Sequence, residues 1–362
     1  MSWTVFFEFL QIAVGQRKSF SQSPSMEDWK WMFAEAKRQT LFGVCFQAIE
    51  ILPAEQRPSR DLLLSWYALT EQLRCLNQKL NMRTVQICSY LSGQQTHSIV
   101  LKGQGIALYY PKPLLRVCGD IDIWVDAKRQ QFCNLVKERF SCGKMVYHNV
   151  SCHFFSDAEV EVHFTPSWLC NYFRNRRMQR YFKREFERSK ENYVDLPEEA
   201  GRICVPTLAM NRVFILQHIY RHLFGDGIGL RQMMDYYYVL QQGFTEEERL
   251  ETVRQLRRLG MMKFTAAAMY VLKKVFAMED KYLLVSPNEE EGHFLLEEIM
   301  RAGNFGKSDP RIVHPEKENK LQSFLRITRQ NFRFIGHYRE EVLWNPLYRA
   351  WHYLWRKWNG YL

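Results

Sequence analysis

The segment Arg116-Val117-Cys118-Gly119-Asp120-Ile121-Asp122-Ile123-Trp124-Val125 places two carboxylates two positions apart in an apolar run. Side chains alternate along a strand, so Asp120 and Asp122 share one face while Ile121, Ile123 and Val125 point into a core. Carboxylates one strand repeat apart chelate hard cations such as Mg²⁺, and Gly119 lets a ligand approach the backbone. Glu159–Phe164 repeats the pattern: Val160, Val162 and Phe164 take one face, and Glu159, Glu161 and His163 the other. Laid beside the Asp120 strand, Glu161 completes a three-carboxylate cluster. Such acids repel one another unless cations stand between them, and two ions about 3.5–4 Å apart suit in-line phosphoryl or nucleotidyl displacement. The bland alternative is a set of solvent-facing acids on edge strands.

Upstream, the β-branched run His97–Leu101 leads directly into Lys102-Gly103-Gln104-Gly105 and a short helix over Ile106–Tyr110. A strand, a glycine turn and a helix start together offer backbone N–H groups to phosphate. Lys102 and Arg116 are candidate phosphate contacts or ordinary solvated cations. His163 either orients the cluster or substrate, or is a polar strand residue bonded to backbone.

The surrounding pattern predicts an α+β chain with three segments. Residues 1–95 are helical, with helices over Trp3–Val14, Glu27–Glu50 and Arg60–Leu91. Residues 96–165 form a small α/β core: a strand over Ile121–Val125, a helix over Ala127–Phe140, then short strands over Val146–Asn149, Cys152–Phe155 and Glu159–Phe164. Residues 166–362 form a larger helical region, with helices over Phe173–Lys190, Pro206–Phe224, Gly229–Gln242, Glu246–Leu259, Met262–Phe276 and Gly292–Arg301. A polar loop follows over Asn304–Asn319, and two further helices close the chain.

The ordered set Leu101-Lys102-Gly103, Ala107-Leu108-Tyr109-Tyr110-Pro111, Arg116, Asp120-Ile121-Asp122-Ile123-Trp124-Val125 and Glu161-Val162-His163 resembles the uncharacterised bacterial nucleotidyltransferases of the polymerase-β-like superfamily. Leu230-Arg231-Gln232-Met233-Met234-Asp235 is similar to that group's helical "LRQ-x-x-D" element. The resemblance implies a minimal mixed sheet flanked by helices with a helical domain beside it. It implies transfer of a nucleoside monophosphate from a triphosphate such as ATP to an acceptor hydroxyl, with pyrophosphate released and two Mg²⁺ as cofactors. Asp120 and Asp122 match the metal-binding pair, Glu161 the third carboxylate and Gly103 the phosphate turn; Lys102, Arg116, Gly119, His163 and Arg231 belong to the expected nucleotide site. Two departures stand out. Gln104 follows Gly103 where the superfamily carries Ser or Gly, and Glu161 replaces the commoner Asp, adding one methylene of reach. The acceptor is open: a small molecule such as an aminoglycoside-like compound, a protein side chain or an RNA end. The competing readings are a non-catalytic nucleotide or nucleic-acid binding module, and an antitoxin-like regulatory protein that acts on a partner.

Other signals bound these readings. The 362 residues carry 50 Lys+Arg against 39 Asp+Glu, a net charge of +11, which favours an anionic partner. No run is long and apolar enough to span a bilayer, and Trp3–Val14 lacks the charged start and cleavage site of a secretory signal. The nine cysteines are scattered without a CxxC, so a disulfide framework is not expected and the cytoplasm is the simplest setting. His218 and His222, four apart on a helix, read as a satisfied interdomain pair ahead of a metal pair. Arg231 and Asp235 are likewise four apart, the spacing of a helix ion pair. Gly306-Lys307-Ser308 lacks the upstream glycine and preceding strand of a phosphate-binding P-loop. The basic, aromatic-interleaved stretch around 174–190 suggests an amphipathic helix with a solvated basic face, with nucleic-acid binding as the alternative. Trp344, Tyr348, Trp351, Trp355 and Trp358 recur at helical spacing, a core or partner stripe ahead of a membrane contact.

Overall fold

A computed structural model describes residues 3–361 apart from 137–138, 226, 307–308, 310 and 312–318. Four helices open the chain: α1 (Trp3–Ala13), α2 (Met26–Arg38), α3 (Phe42–Ile51) and α4 (Arg60–Gly93). The helix expected over Glu27–Glu50 is therefore two. Its break lies at Thr40, whose φ of 53° no α-helix accommodates. A capping box at Ser25 starts α2, with Ser25 and Asp28 exchanging bonds.

A small sheet follows: β1 (Ser98–Leu101), α5 (Gly103–Ala107), β2 (Ile121–Val125), α6 (Arg129–Val136), β3 (Asn149–Cys152) and β4 (Val160–His163). The strand order is β1-β2-β4-β3, with β2 and β4 parallel and both outer strands antiparallel to their neighbours. Of the two strands expected over Val146–Asn149 and Cys152–Phe155, the structure makes one, Asn149–Cys152, because Val146 N–H bonds back to Asn149 and makes the preceding residues a turn. The disulfide expectation also needs correction. Cys142 and Cys152 are bonded, because an isolated antiparallel bridge sets them opposite one another with their Cα atoms 4.2 Å apart. The bridge's hydrogen bonds lie on the flanking residues, Gly143 to Ser151 and His153 to Ser141, which makes this the close, non-hydrogen-bonded type of pair.

Beyond the sheet come α7 (Tyr172–Ser189), the hairpin β5 (Tyr193–Leu196) and β6 (Gly201–Cys204), then α8 (Leu208–Leu223), α9 (Leu230–Gln241), α10 (Glu246–Arg258), α11 (Met262–Phe276), α12 (Glu289–Ala302), α13 (Lys320–Asn331) and α14 (Arg339–Trp358). The expectation for Asn304–Asn319 falls largely on residues outside those described, as do Lys307 and Ser308 of the rejected P-loop. Among the described residues no helix is long and apolar enough to cross a membrane.

The architecture is α+β, and both faces of the sheet are covered. Ile121, Ile123, Val125, Val160 and Val162 pack with Phe132 and Val136 of α6 and Leu80, Ile87 and Leu91 of α4. On the opposite face Trp124, 4% exposed, makes an edge contact with Phe186 of α7 at 4.6 Å and lies 6.2 Å from Phe182. Burying an aromatic of this size contributes about 2–3 kcal/mol. Trp124 therefore clamps α7 over the face that carries Asp120 and Asp122. The main core joins α1–α3 to α8–α12, with α1 packed on both α3 and α11. That helical mass positions α8 and α9 over the sheet.

Candidate active site

The parallel pairing of β2 and β4 sets Asp122 directly opposite Glu161. Register and pleat together bring the two strands' acids to one face. Asp122 is 2% exposed and lies at the centre of the site. Its Oδ1 accepts from Lys102 Nζ at 2.8 Å and lies 2.7 Å from His163 Nε2. His163 Nε2 is also 3.5 Å from Glu161 Oε2, and the Asn149 amide donates to the same Glu161 oxygen. One ligand atom from each of Asp122, Glu161 and His163 falls within 4.8 Å of the others, close enough for the three to share a metal ion. The Nδ1 of His163 is buried with no partner among the described residues.

Asp120 sits just before β2, beside the cluster and only partly buried. Repulsion from Asp122, reinforced by burial and by Glu161, pushes its carboxyl up to about 6 against the pull of Lys102. Asp122 behaves oppositely. Burial works against its ionisation, but the Lys102 ammonium and the His163 hydrogen bond outweigh it and hold the carboxyl at about 2. Adjacent acids driven apart in this way are typical of catalytic clusters.

Lys102 reaches Asp122 from a strained turn. Its φ is 51° and ψ −128°, a region L-residues avoid, and Gly103 follows with φ 22°. The strain sits at the residue whose ammonium meets the buried acid, as strain at functional sites does.

A narrow cleft of about 80 Å³ opens here, lined by Lys102, Gly103, Gly119, Asp120 and Asp122 from the sheet and by His218, Arg231 and Asp235 from α8 and α9. Arg116, 3% exposed, turns onto Asp235 in a bidentate pair, Nε to Oδ1 at 2.7 Å and Nη2 to Oδ2 at 2.8 Å. Tyr110 donates its hydroxyl to the same Oδ1 at 2.7 Å, and Arg231 approaches Oδ2 at 3.3 Å. Burial opposes the Asp235 charge, yet Arg116 and Arg231 hold its carboxyl below the usual range. Arg116 and Arg231 thus line the cleft while Asp235 holds both. The i, i+4 contact of Arg231 and Asp235 is present, but the stronger partner of Asp235 comes from 119 residues away.

His218 and His222 meet edge to face with centroids 4.4 Å apart. Burial, with the nearby Lys102, holds His218 well below its ordinary value, so it is neutral at pH 7. The pair belongs to no cluster of metal-ligand spacing among the described residues. In α7, Met178, Tyr181, Phe182 and Phe186 face inward, and Arg176, Arg177, Arg180, Arg184 and Arg188 outward. Glu185 is buried within this basic helix and paired to Arg188 at 3.0 Å. Of the α14 stripe, Tyr348 stacks on Trp168 and Trp355 meets Tyr147, whereas Trp358 is 91% exposed.

Two supporting residues escaped sequence reasoning. Asn149 reaches Glu161 only through the β3–β4 register, and Tyr110 shows merely as part of a Tyr-Tyr-Pro turn.

A search of curated proteins finds no significant match. The family model of the uncharacterised nucleotidyltransferases matches residues 25–277, more than half of the chain and the whole of the site. The protein therefore belongs to the uncharacterised nucleotidyltransferase family and is an enzyme of that transfer class.

Proposed function

We propose that the protein is a Mg²⁺-dependent nucleotidyltransferase of the polymerase-β-like kind, moving a nucleoside monophosphate from a triphosphate to an acceptor hydroxyl with release of pyrophosphate. The observation that carries this reading is the convergence of Asp122 and Glu161 on paired parallel strands, beside Asp120 and the Lys102-Gly103 turn. The donor set fits hard divalent ions: carboxylates predominate, repulsion from Asp122 and burial oppose the ionisation of the neighbouring Asp120, and a buried histidine nitrogen completes the group. Asp120, Asp122 and Glu161 would hold two Mg²⁺, which when bound supply Lewis-acid neutralisation of the triphosphate.

The chain's own residues do the rest. Lys102 and Arg231 neutralise phosphate oxygens, and Gly103 leaves room for them. Arg116 is held rigid by Asp235 and by its Nη1 bonds to Val117 O and Cys118 Sγ, and contributes its fixed positive charge to the cleft wall. Glu161 accepts the proton of the attacking hydroxyl at Oε2, the oxygen that Asn149 orients. Neutral His218 keeps an uncharged hydrogen-bonding group at the cleft wall. The cleft holds only a few waters' volume. Seating a nucleotide therefore requires Lys102 to leave Asp122 and the sheet to part from α8–α9.

The test incubates the purified chain with each labelled nucleoside triphosphate, Mg²⁺ and cell extract. Labelled product that is lost in the folded Asp120→Asn/Asp122→Asn double variant supports the reading; product formed undiminished by that variant defeats it.

A further inference from the structure

Outside the cleft, α7 borders two cavities that share a residue. The first, about 550 Å³, lies between the start of α7 and α14 and is walled by Tyr147, Tyr172, Trp344, Tyr348 and Trp351. Arg176 and Arg180 stand at its edge, both exposed. The second, about 510 Å³, lies between α7 and the end of α10 and is lined by Arg177, Arg180, Arg184 and Arg258, with no acidic residue in its lining. Arg180 belongs to both cavities, so an aromatic chamber opens beside an arginine-lined one.

Most of these charges have no carboxylate partner. Among the described residues no carboxylate lies within ion-pair distance of Arg176, Arg177, Arg180 or Arg258, whereas Arg184 shares Glu185 with Arg188. On a helix surface an acid three or four residues away would satisfy such an arginine. In α7 the acid nearest these residues is spent on the distal end of the helix. An arginine row mostly without carboxylate partners, beside a wall of ring faces, is complementary to a chain that alternates anionic and planar aromatic groups. Single-stranded RNA is such a chain: its splayed bases stack on aromatic side chains and its phosphates meet arginine. An acidic peptide would match the arginines and leave the aromatic chamber unused. An anionic membrane needs a flat surface, and these features are concave.

A run of ring contacts joins the chamber wall to the carboxylate cluster. Tyr348 stacks on Trp168 at 5.8 Å, Trp168 lies 4.0 Å from His148, and His148 lies 5.6 Å from His163, which bonds Asp122. Trp124 pins the other side of the same helix to the sheet face that bears Asp122.

We propose that the α7–α10–α14 surface binds single-stranded RNA and that the acceptor of the transfer is an RNA end. The proposal rests on the nucleotidyltransferase reading for its second half only, and binding is testable without catalysis. Fluorescence anisotropy of a labelled single-stranded RNA is measured with the full chain, with Arg176→Gln/Arg180→Gln and, as a milder probe of the chamber, with Tyr172→Ala. Circular dichroism confirms that each variant is folded. The expected result is RNA binding weakened at least tenfold in the double arginine variant and severalfold in Tyr172→Ala. The slope of log affinity against log salt should shrink by about 1.4, since each phosphate contact contributes roughly 0.7. Affinity unchanged in these variants, an unchanged salt slope, or preference for a DNA strand of the same sequence, a polyglutamate peptide or anionic vesicles over RNA would each overturn the proposal. If RNA binds as described but takes no label from any triphosphate, the docking surface stands and the transfer reading falls.

Discussion

Replacing Asp120 by Asn should make the metal-free protein more stable while eliminating its chemistry. Asp120 is held at about 6, first by the Asp122 charge and then by burial. A carboxyl raised from 3.8 to about 6 disfavours its ionised form by about 3 kcal/mol at full burial. Asp120 is only partly buried, and solvent screening brings the figure to roughly 1.5 kcal/mol. The sign follows from the direction of the shift. A carboxyl whose folded value is raised favours the fold below its unfolded value, and that contribution is lost as pH climbs from about 4 through about 6. The neutral amide of Asn suffers no such loss. In EDTA at pH 8 Asp120→Asn should melt about 2 °C above the parent, using about 1.3 °C per kcal/mol for a chain of this length. The gap should close as the pH approaches 4. Saturating Mg²⁺ at pH 8 should reverse the order, because the parent gains a ligand's charge that the variant lacks. Differential scanning calorimetry across pH, with and without Mg²⁺, measures all three. An advantage for Asn that is the same at pH 4 and pH 8, or a loss of stability at both, would refute repulsion as the state of this cluster.

Two further outcomes follow from buried charges. Asp235→Ala leaves the guanidinium of Arg116 buried without its carboxylate and strands the Tyr110 hydroxyl; the expected loss is about 3–5 kcal/mol, read as a lower urea midpoint with an unchanged slope. Lys102→Met removes the ammonium that, after burial, has the largest influence on Asp122. Stability lost on acidification as Asp122 is protonated near 2 should then be lost at higher pH, moving the acid-unfolding midpoint upward by circular dichroism, while relief of the strained φ at Lys102 stays out of reach of a non-glycine side chain.

The face shared by Asp120 and Asp122, and the one shared by Glu161 and His163, were legible because strand alternation is a local rule. So were most helices, whose apolar spacing is equally local. What could not be read were pairings set by long-range register. Asn149 meets Glu161, and Arg116 meets Asp235, only after strands and helices distant in sequence have docked. The Cys142–Cys152 bond has the same origin: a single bridge opposes two cysteines that no spacing rule marks. The β5–β6 hairpin escaped for a different reason. Its turn places Glu198 and Glu199 at φ 56° and 53°, positions usually announced by Asn or Gly.

The charge balance of the cleft predicts that transfer requires a divalent cation rather than merely gaining from one. Lys102, Arg116 and Arg231 face Asp120, Asp122 and Asp235, three cations against three carboxylates, and Glu161 adds a further negative charge at the edge of the same cluster. The ion pairs already formed consume the cations: Lys102 is committed to Asp122, and Arg116 to Asp235. A polyanionic triphosphate entering alone would meet unneutralised acids at short range in a poorly solvated slot. Cations held by the acids would compete with Lys102 for Asp122 and leave its ammonium available to phosphate, so metal and nucleotide should bind with positive coupling. Isothermal titration of a non-hydrolysable triphosphate with and without Mg²⁺ reads that coupling directly. Nucleotide affinity independent of Mg²⁺ would mean that the arginines, and not the carboxylate cluster, organise the site.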